Sequence, residues 1–398
     1  MKIGIDKIGM YVPLNYVELK DLAIERNVDP DKWMIGLGQE KMAIVPIDQD
    51  VVSMGANACN SILSEEDKKC IDQIIFATES GLDYSKSCAT YIHELLEIQP
   101  FARSYEIKQA CYSATASIQI ACDYVKLHPD RKVLVISSDI SKYGLNTPGE
   151  ATQGAGAIAI LISSNPRIME IGDYSVAYTC SGYDFWRPNQ LDYPEVNGKQ
   201  STELYMGVFV EVIKEFINRY PHKLKNIKSI LFHLPFARMG KKALDKLERL
   251  IRDGELTESQ ELKKAILRWN DMYNNSTIYA KQVGNIYTGS LYMALISLLL
   301  NNERINEGDE FGFFSYGSGS VAELFIGKTV KGFREYTNLE RFTRHLERRK
   351  KLTVEEYEKE YFHESVNEVK NIDNTSMNHE IGFYLEKVEN NKRYYNKK

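Results

Sequence analysis

Beyond Cys180 the 398-residue sequence has no cysteine at all. The six it does have (Cys59, Cys70, Cys88, Cys111, Cys122, Cys180) form no CxxC pair. A disulfide framework and a zinc site both need closer or paired spacing. By default each thiol reads as a small buried hydrophobe, and no cluster implies a metal or redox cofactor. No apolar run approaches the roughly 20 residues that cross a bilayer. The opening MKIGIDKIGMYVP alternates like a strand and lacks the apolar core of a signal peptide, so the expected location is the cytoplasm and no membrane partner is expected. Excess basic charge is missing too: 50 Lys and Arg stand against 55 Asp and Glu, which argues against a nucleic-acid partner. No Gly/Ser- or Pro-rich linker marks off an independent module.

What is present repeats itself. IDQIIFATE (71–79) resembles IKSILFHLP (227–235), each an Ile-rich run that predicts a buried strand. QACYSATASI (109–118) resembles VGNIYTGSLY (283–292), a polar residue followed by small residues that open an apolar helix. QGAGAIAILIS (153–163) resembles YGSGSVAELFIG (316–327), read as a glycine turn feeding a strand. Three matches in one order predict a duplicated α/β unit, with halves at 1–166 and 167–398. After about residue 328 the chain becomes highly charged with helical spacing, and Thr353 with Glu356 has the form of a capping box. A solvated helical appendage is expected there, then a strand with a basic tail.

The repeat sets Cys111 opposite Asn285, each before an equivalent helix. A cysteine ahead of a helix is more often structural than reactive. Its repeat partner and the small-residue helix beyond it favour a nucleophile, and the positive helix end should favour thiolate. Glu79 follows an apolar strand, where desolvation raises a carboxyl pKa and makes a usable base; a solvated loop glutamate is the bland alternative. His233 ends the equivalent strand of the second half. A lone histidine in an apolar run is usually a core residue, but the duplication would aim it at the pocket of Glu79. The other six histidines, His379 among them, lie in polar or helical contexts and read as structural. The glycine runs precede strands, which excludes a dinucleotide-phosphate cradle. A turn presenting backbone N–H groups such as that of Ser318 as an oxyanion hole fits better. Arg238, Lys241 and Lys242 form either an ordinary basic helix start or a rim for phosphates.

Ten segments, including ATESGLD, QACYSAT, YGLNTPGEATQGAGA, YDFWRP, FHLPFARMGKKAL, VGNIYTGSLY and FSYGSGS, resemble the hydroxymethylglutaryl-CoA synthases of bacterial mevalonate-pathway type. They run in family order from Lys2 to about Phe325. The resemblance implies a thiolase-like fold, duplicated in five α-β-α-β-α layers. It implies condensation of acetyl-CoA with acetoacetyl-CoA in a homodimer, with no cofactor beyond the coenzyme A thioesters. Cys111 would carry the acetyl group, Glu79 would act as acid/base and His233 would orient the acetoacetyl thioester. Asn285 would support the same site and Ser318 would hold the oxyanion. Tyr143, Thr152, Asp184, Phe185 and Ser201 would line the acyl pocket, and Asp29, Arg238 and Lys242 would sit near the coenzyme A arm. Position 238 is more often lysine in the family, so the arginine leaves that role less secure.

Related chemistries fit less well. Decarboxylating ketoacyl synthases use Cys-His-Asn and need no carboxylate such as Glu79. A thiolase would carry a second cysteine in its second half. A β-branching synthase acting on acyl-carrier-protein substrates shares features such as KQACYS, although YDFWRP and VGNIYTGSLY favour the coenzyme A enzyme. A non-catalytic thiolase-fold subunit would tend to lose the Cys111, Glu79 and His233 set.

Overall fold

The structure, a computed structural model, describes residues 1–256, 260–337, 339–363 and 382–398; His379 lies outside them. The first half begins with β1 (Ile3–Tyr11), β2 (Asn15–Glu18), α1 (Leu19–Glu25), β3 (Lys41–Ile44), α2 (Val51–Asn60) and α3 (Glu65–Cys70). It continues through β4 (Ile71–Ala77), α4 (Cys88–Leu95), β5 (Arg103–Ile107), α5 (Ser113–Leu127), β6 (Lys132–Ser141) and β7 (Gly154–Ser164). Helix starts are set locally: Asp50 accepts from the Val52 and Ser53 amides while Ser53 closes the capping box.

The second half holds β8 (Met169–Thr179), β9 (Phe185–Trp186), β10 (Glu195–Val196), α6 (Gly198–Arg219), β11 (Ile227–Phe232) and α7 (Met239–Arg252). Then come α8 (Gln260–Val283), α9 (Ser290–Asn301), β12 (Glu310–Gly317) and β13 (Val321–Thr329). The duplication is visible in strand pairing. In the first half β4 runs parallel to β6, while β6–β7 and β7–β1 are antiparallel. In the second, β11 runs parallel to β12, while β12–β13 and β13–β8 are antiparallel. Among the described strands of the nine-stranded sheet, β5 alone has no counterpart in the second half. A short β1–β8 pairing at Gly4 and Ile5 joins the two into one nine-stranded sheet.

Strand alternation sorts side chains into layers. In β6, Val133 and Val135 face the central core, while Leu134 and Ile136 face an outer core shared with α2 and α4. Between the half-sheets, α5 meets α9 through a Thr115–Tyr292 hydroxyl pair at 2.7 Å. The outer side of the second half is covered by α6, which packs on β8 and β13. Helices thus alternate with half-sheets, and the starts of α5 and α9 lie in the middle.

The C-terminal part corrects one expectation. The segment comprises α10 (Leu339–Glu347), β14 (Lys350–Lys351), α11 (Val354–His363), β15 (Phe383–Glu389) and β16 (Lys392–Lys397). The capping box at Thr353 and Glu356 forms, but the appendage is not simply solvated. Leu352, Tyr357 and Tyr361 are buried with Val17, Leu22, Trp33 and Met42, because tyrosines four apart give α11 an inward face amid its charge. The strand expected near the end is a hairpin, turning through left-handed Asn390 and Asn391. Asn57 of α2 binds both backbone polar groups of Phe383. No described helix is long and apolar enough to cross a membrane.

Candidate active site

Two glycines, equivalent by the repeat, let the halves interlock. A side-chain carbon on Gly154 would lie 2.6 Å from the Val283 carbonyl oxygen, and one on Gly317 would lie 2.5 Å from that of Gln109. Gln109 and Val283 are themselves repeat partners. Each half therefore presses the end of a strand against the loop before the other half's central helix. Gly154 and Gly156 lie within β7, not in a turn before it, so the turn reading applies only to the second-half run. Those loops share a bend as well: Ala110 has φ 45° and its partner Gly284 has φ 90°. A left-handed alanine costs about 1–2 kcal/mol, and it immediately precedes Cys111.

The Cys111 thiol donates to Glu79 Oε1 at 2.9 Å, and both residues are half-buried. Burial pushes the Glu79 carboxyl up to about 8, helped by the charge of Asp139 and opposed by the Cys111 hydrogen bond and Arg187. The expectation of a helix-stabilised thiolate fails. Burial, then the neighbouring carboxylate, raises the Cys111 thiol well above its ordinary range. At this site desolvation and Glu79 outweigh the helix end.

Behind the pair sits Asp139, fully buried at the end of β6 and missed by the sequence reading. Its Oδ1 accepts from Thr78 Oγ1 (2.8 Å), Glu79 N (2.8 Å), Ser80 N (3.2 Å) and Ser80 Oγ (3.0 Å). Its Oδ2 accepts from Thr288 N (3.2 Å) and Thr288 Oγ1 (2.5 Å). One carboxylate thereby ties the Glu79 loop to the Asn285–Thr288 loop of the other half. Burial raises it to about 6 despite these donors. Its signal was the polar Ser137-Ser138-Asp139 that ends the apolar run of β6. Arg187, also missed, donates to the Glu79 carbonyl at 2.8 Å.

His233 is 3% exposed. Its amide extends the β11–β12 ladder to Phe314 O (2.9 Å), and its carbonyl accepts from Tyr205 OH (2.8 Å). Burial lowers the imidazole to about 3, and Nδ1 has no hydrogen-bond partner. The ring is neutral at physiological pH.

Tyr143, Phe185 and Tyr287 form an aromatic wall with centroids 5.9–6.1 Å apart. Asn285 Nδ2 donates to Tyr143 OH at 3.3 Å, and the Asn285 amide donates to Thr152 O at 3.1 Å. Asp184 is buried and accepts from Ser201 Oγ (3.2 Å), Tyr316 OH (2.9 Å) and Gly319 N (3.1 Å), which holds the turn carrying Ser318. Gln109, two residues before Cys111, donates from Nε2 to Ser318 O at 3.3 Å.

Asp29, Arg238 and Lys242 are brought together on a separate rim. Asp29 opens the wide turn Lys32–Leu37 by accepting from the Lys32 and Asp31 amides. Arg238 grips that turn: Nη1 donates to Ile35 O and its amide to Leu37 O, each at 3.0 Å. Lys242 lies over the Phe236 ring, and burial together with Arg238 lowers its ammonium.

A duplicated α/β chain whose two central helix starts converge between half-sheets has the thiolase-like fold, and the class is an acyltransferase of that fold. The family models for the N-terminal and C-terminal parts of hydroxymethylglutaryl-coenzyme A synthase match residues 1–167 and 246–398. The chain is 48% identical over 358 residues to the hydroxymethylglutaryl-CoA synthase of Enterococcus faecalis, covering 90% of this chain and 91% of that one. It is 32% identical over 379 residues to a polyketide-biosynthesis 3-hydroxy-3-methylglutaryl-ACP synthase of Bacillus subtilis, covering 89% and 87%. A crystal structure of an HMG-CoA synthase complexed with CoA superposes with TM-score 0.91 at 43% identity, over all of both chains. The chain belongs to the hydroxymethylglutaryl-CoA synthase family.

Proposed function

We propose that the Cys111–Glu79 pair, with His233, carries the family reaction in this chain, the condensation of acetyl-CoA with acetoacetyl-CoA. The observation that carries this is the 2.9 Å thiol–carboxyl contact between groups both pushed toward neutrality. Glu79 takes the Cys111 proton as sulfur attacks the acetyl carbonyl, and coenzyme A leaves as the thiol by accepting that proton. Glu79 then removes a proton from the acetyl methyl. The resulting carbanion attacks the ketone carbon of acetoacetyl-CoA, and the new alkoxide takes the proton from Glu79. Neutral His233 donates its ring N–H to the acceptor's oxygen without becoming a competing acid. Backbone donors around Ser318 hold the thioester oxyanion. Water finally cleaves the enzyme thioester, releasing the free acid of 3-hydroxy-3-methylglutaryl-CoA and restoring Cys111.

Tyr143, Thr152, Asp184, Phe185, Ser201 and Asn285 shape the acyl pocket in this reading. Arg238 and Lys242, beside the turn that Asp29 opens, supply the rim for coenzyme A phosphates. Halves at 1–166 and 167–398 follow the repeated strand pairing. Six free thiols suit a reducing cytoplasm. Homodimerisation through the free edge of β5 would cover a strand that ends the sheet.

The test offers acetyl-CoA with acetoacetyl-CoA, or with acetoacetyl on an acyl-carrier protein, and identifies the product by mass spectrometry. Product from the coenzyme A pair, lost in Cys111→Ser and Glu79→Ala, supports the reading. Product only on the carrier protein would overturn the choice of carrier, and no acetyl adduct on Cys111 would overturn the mechanism.

A further inference from the structure

Helix α11 enters none of the chemistry above, yet its buried tyrosines are wired to the wall of the acyl pocket. Three consecutive residues of the β6–β7 loop are held by it. Lys142 Nζ donates to Tyr361 O at 2.9 Å and lies 4.6 Å over that ring. The Tyr143 amide donates to Gln153 Oε1 at 2.6 Å. Gln153 in turn donates from Nε2 to Tyr357 OH (3.0 Å) and accepts from Tyr361 OH (3.3 Å). The Gly144 amide, at φ 91°, donates to Tyr361 OH at 2.9 Å.

The same helix reaches two further walls. The Tyr361 ring stacks on Tyr193, at 6.0 Å and 29°, in the segment that also carries Phe185. Tyr357 OH donates to buried Glu150 at 3.2 Å. Glu150 takes both prongs of Arg26, which closes α1 and leads into the turn that Arg238 grips. Gln153, Glu150 and Tyr357 are at most 3% exposed, and Tyr361 is 6% exposed. Surface charge alone would not require so many bonds to one loop.

We propose that Tyr357 and Tyr361 of α11 are positioning residues for the condensation step, setting the orientation of Tyr143 against the acetyl-cysteine. This rests on the reaction proposed above. The hydroxyls touch neither Cys111 nor Glu79, so they act through Gln153 and the loop backbone. Their effect belongs to presentation of the acceptor, where sub-ångström placement governs rate. Formation of the acetyl-enzyme needs only Cys111, Glu79 and the acetyl donor and is largely independent of them.

The experiment uses the full chain and three variants: Tyr361→Phe, Tyr357→Phe with Tyr361→Phe, and Lys359→Ala. Phenylalanine keeps the rings and removes only the hydroxyls. Lys359 is an outward-facing control, 67% exposed and paired with Glu355. Acetylation of Cys111 by acetyl-CoA is followed by mass spectrometry. Steady-state condensation gives kcat and the KM for acetoacetyl-CoA. The melting temperature is recorded for each variant. Removing the two buried hydroxyls, and with them four hydrogen bonds, is expected to lower condensation kcat about tenfold to a hundredfold. KM for acetoacetyl-CoA should rise, with acetylation unchanged within about twofold.

Unchanged condensation in the double variant would overturn the proposal. So would acetylation and condensation falling together in proportion to a lowered melting temperature, because that is plain destabilisation. A matching loss in Lys359→Ala would overturn it too. If the parent chain itself forms no acetyl adduct on Cys111, the reaction assignment fails and takes this inference with it, a result separable from every variant effect.

Discussion

Replacing Glu79 by glutamine should stabilise the protein above neutral pH while abolishing condensation. Glutamine keeps an oxygen to accept the Cys111 thiol but has no carboxyl to ionise. In the folded parent, burial and then Asp139 lift the carboxyl from 4.5 to about 8. Between those values the folded chain holds a proton that the unfolded chain has released. The stability linked to that proton is fully present below the unfolded value and is lost as pH climbs through the folded one. One pH unit is worth about 1.4 kcal/mol, so the loss by pH 7 has an upper bound of about 3 kcal/mol. Because Glu79 is half-buried rather than fully enclosed, about 1–2 kcal/mol is the expected size. Asp139 adds a loss of the same sign between 3.8 and about 6, and the variant retains that part. Urea unfolding at pH 5, 6, 7 and 8 should show the two proteins converging at pH 5 and the variant pulling ahead by pH 8. Parallel curves, or a variant weaker at pH 8, would refute the reasoning.

The same raised carboxyl governs rate. With a pKa of about 8, Glu79 is roughly one-tenth ionised at pH 7 and nine-tenths at pH 9, so acetylation of Cys111 at limiting acetyl-CoA should speed up about tenfold; a flat pH–rate profile would exclude Glu79 as the base. Asp139→Asn places an N–H₂ against donors from the Glu79 or Thr288 side, so it should cost about 1–3 kcal/mol and cut kcat at least about tenfold, read from urea midpoints and steady-state rates; wild-type kcat would deny Asp139 any positioning role. Ala110→Val puts a branched side chain at φ 45° and should cost about 1–2 kcal/mol, whereas Ala110→Gly should cost nothing; equal urea midpoints for the two would remove the claim of strain before Cys111.

Legibility followed periodicity and repetition. The Ile-rich runs ending at Ala77 and Phe232 are β4 and β11, since an apolar stretch of strand length has little choice but a buried sheet. Cys111 and Asn285 precede the helices expected of them because small residues at both helix starts require close approach. Asp139 escaped notice because its importance lies in six donors drawn from two loops, and one of them, Thr288, is 149 residues away. The thiol's protonation was misread for a related reason: helix polarity is local and legible, whereas burial beside Glu79 is tertiary. In α11 the charges were plain, but the partners of Tyr357 and Tyr361 are Glu150 and Gln153, more than 200 residues earlier.

The raised thiol is better suited to this chemistry than a stabilised thiolate would be. A low-pKa thiolate is the weaker nucleophile and the better leaving group, so its acetyl thioester would be lost sooner, before the acceptor arrives. A thiol held up by burial stays protonated until a donor carbonyl is in place, and its proton then has one short path, the 2.9 Å contact to Glu79. Burial raises both partners, so thiol and carboxyl are each held toward the protonated, neutral form. In the proposed cycle, acetylation would remove the sulfur's competition for Glu79 and leave the same carboxylate free for the methyl group. The neutral His233, lowered to about 3 by burial alone, completes the separation of roles. In the proposed cycle it would donate a hydrogen bond without exchanging protons with Glu79, leaving one carboxyl group to handle the proton transfers.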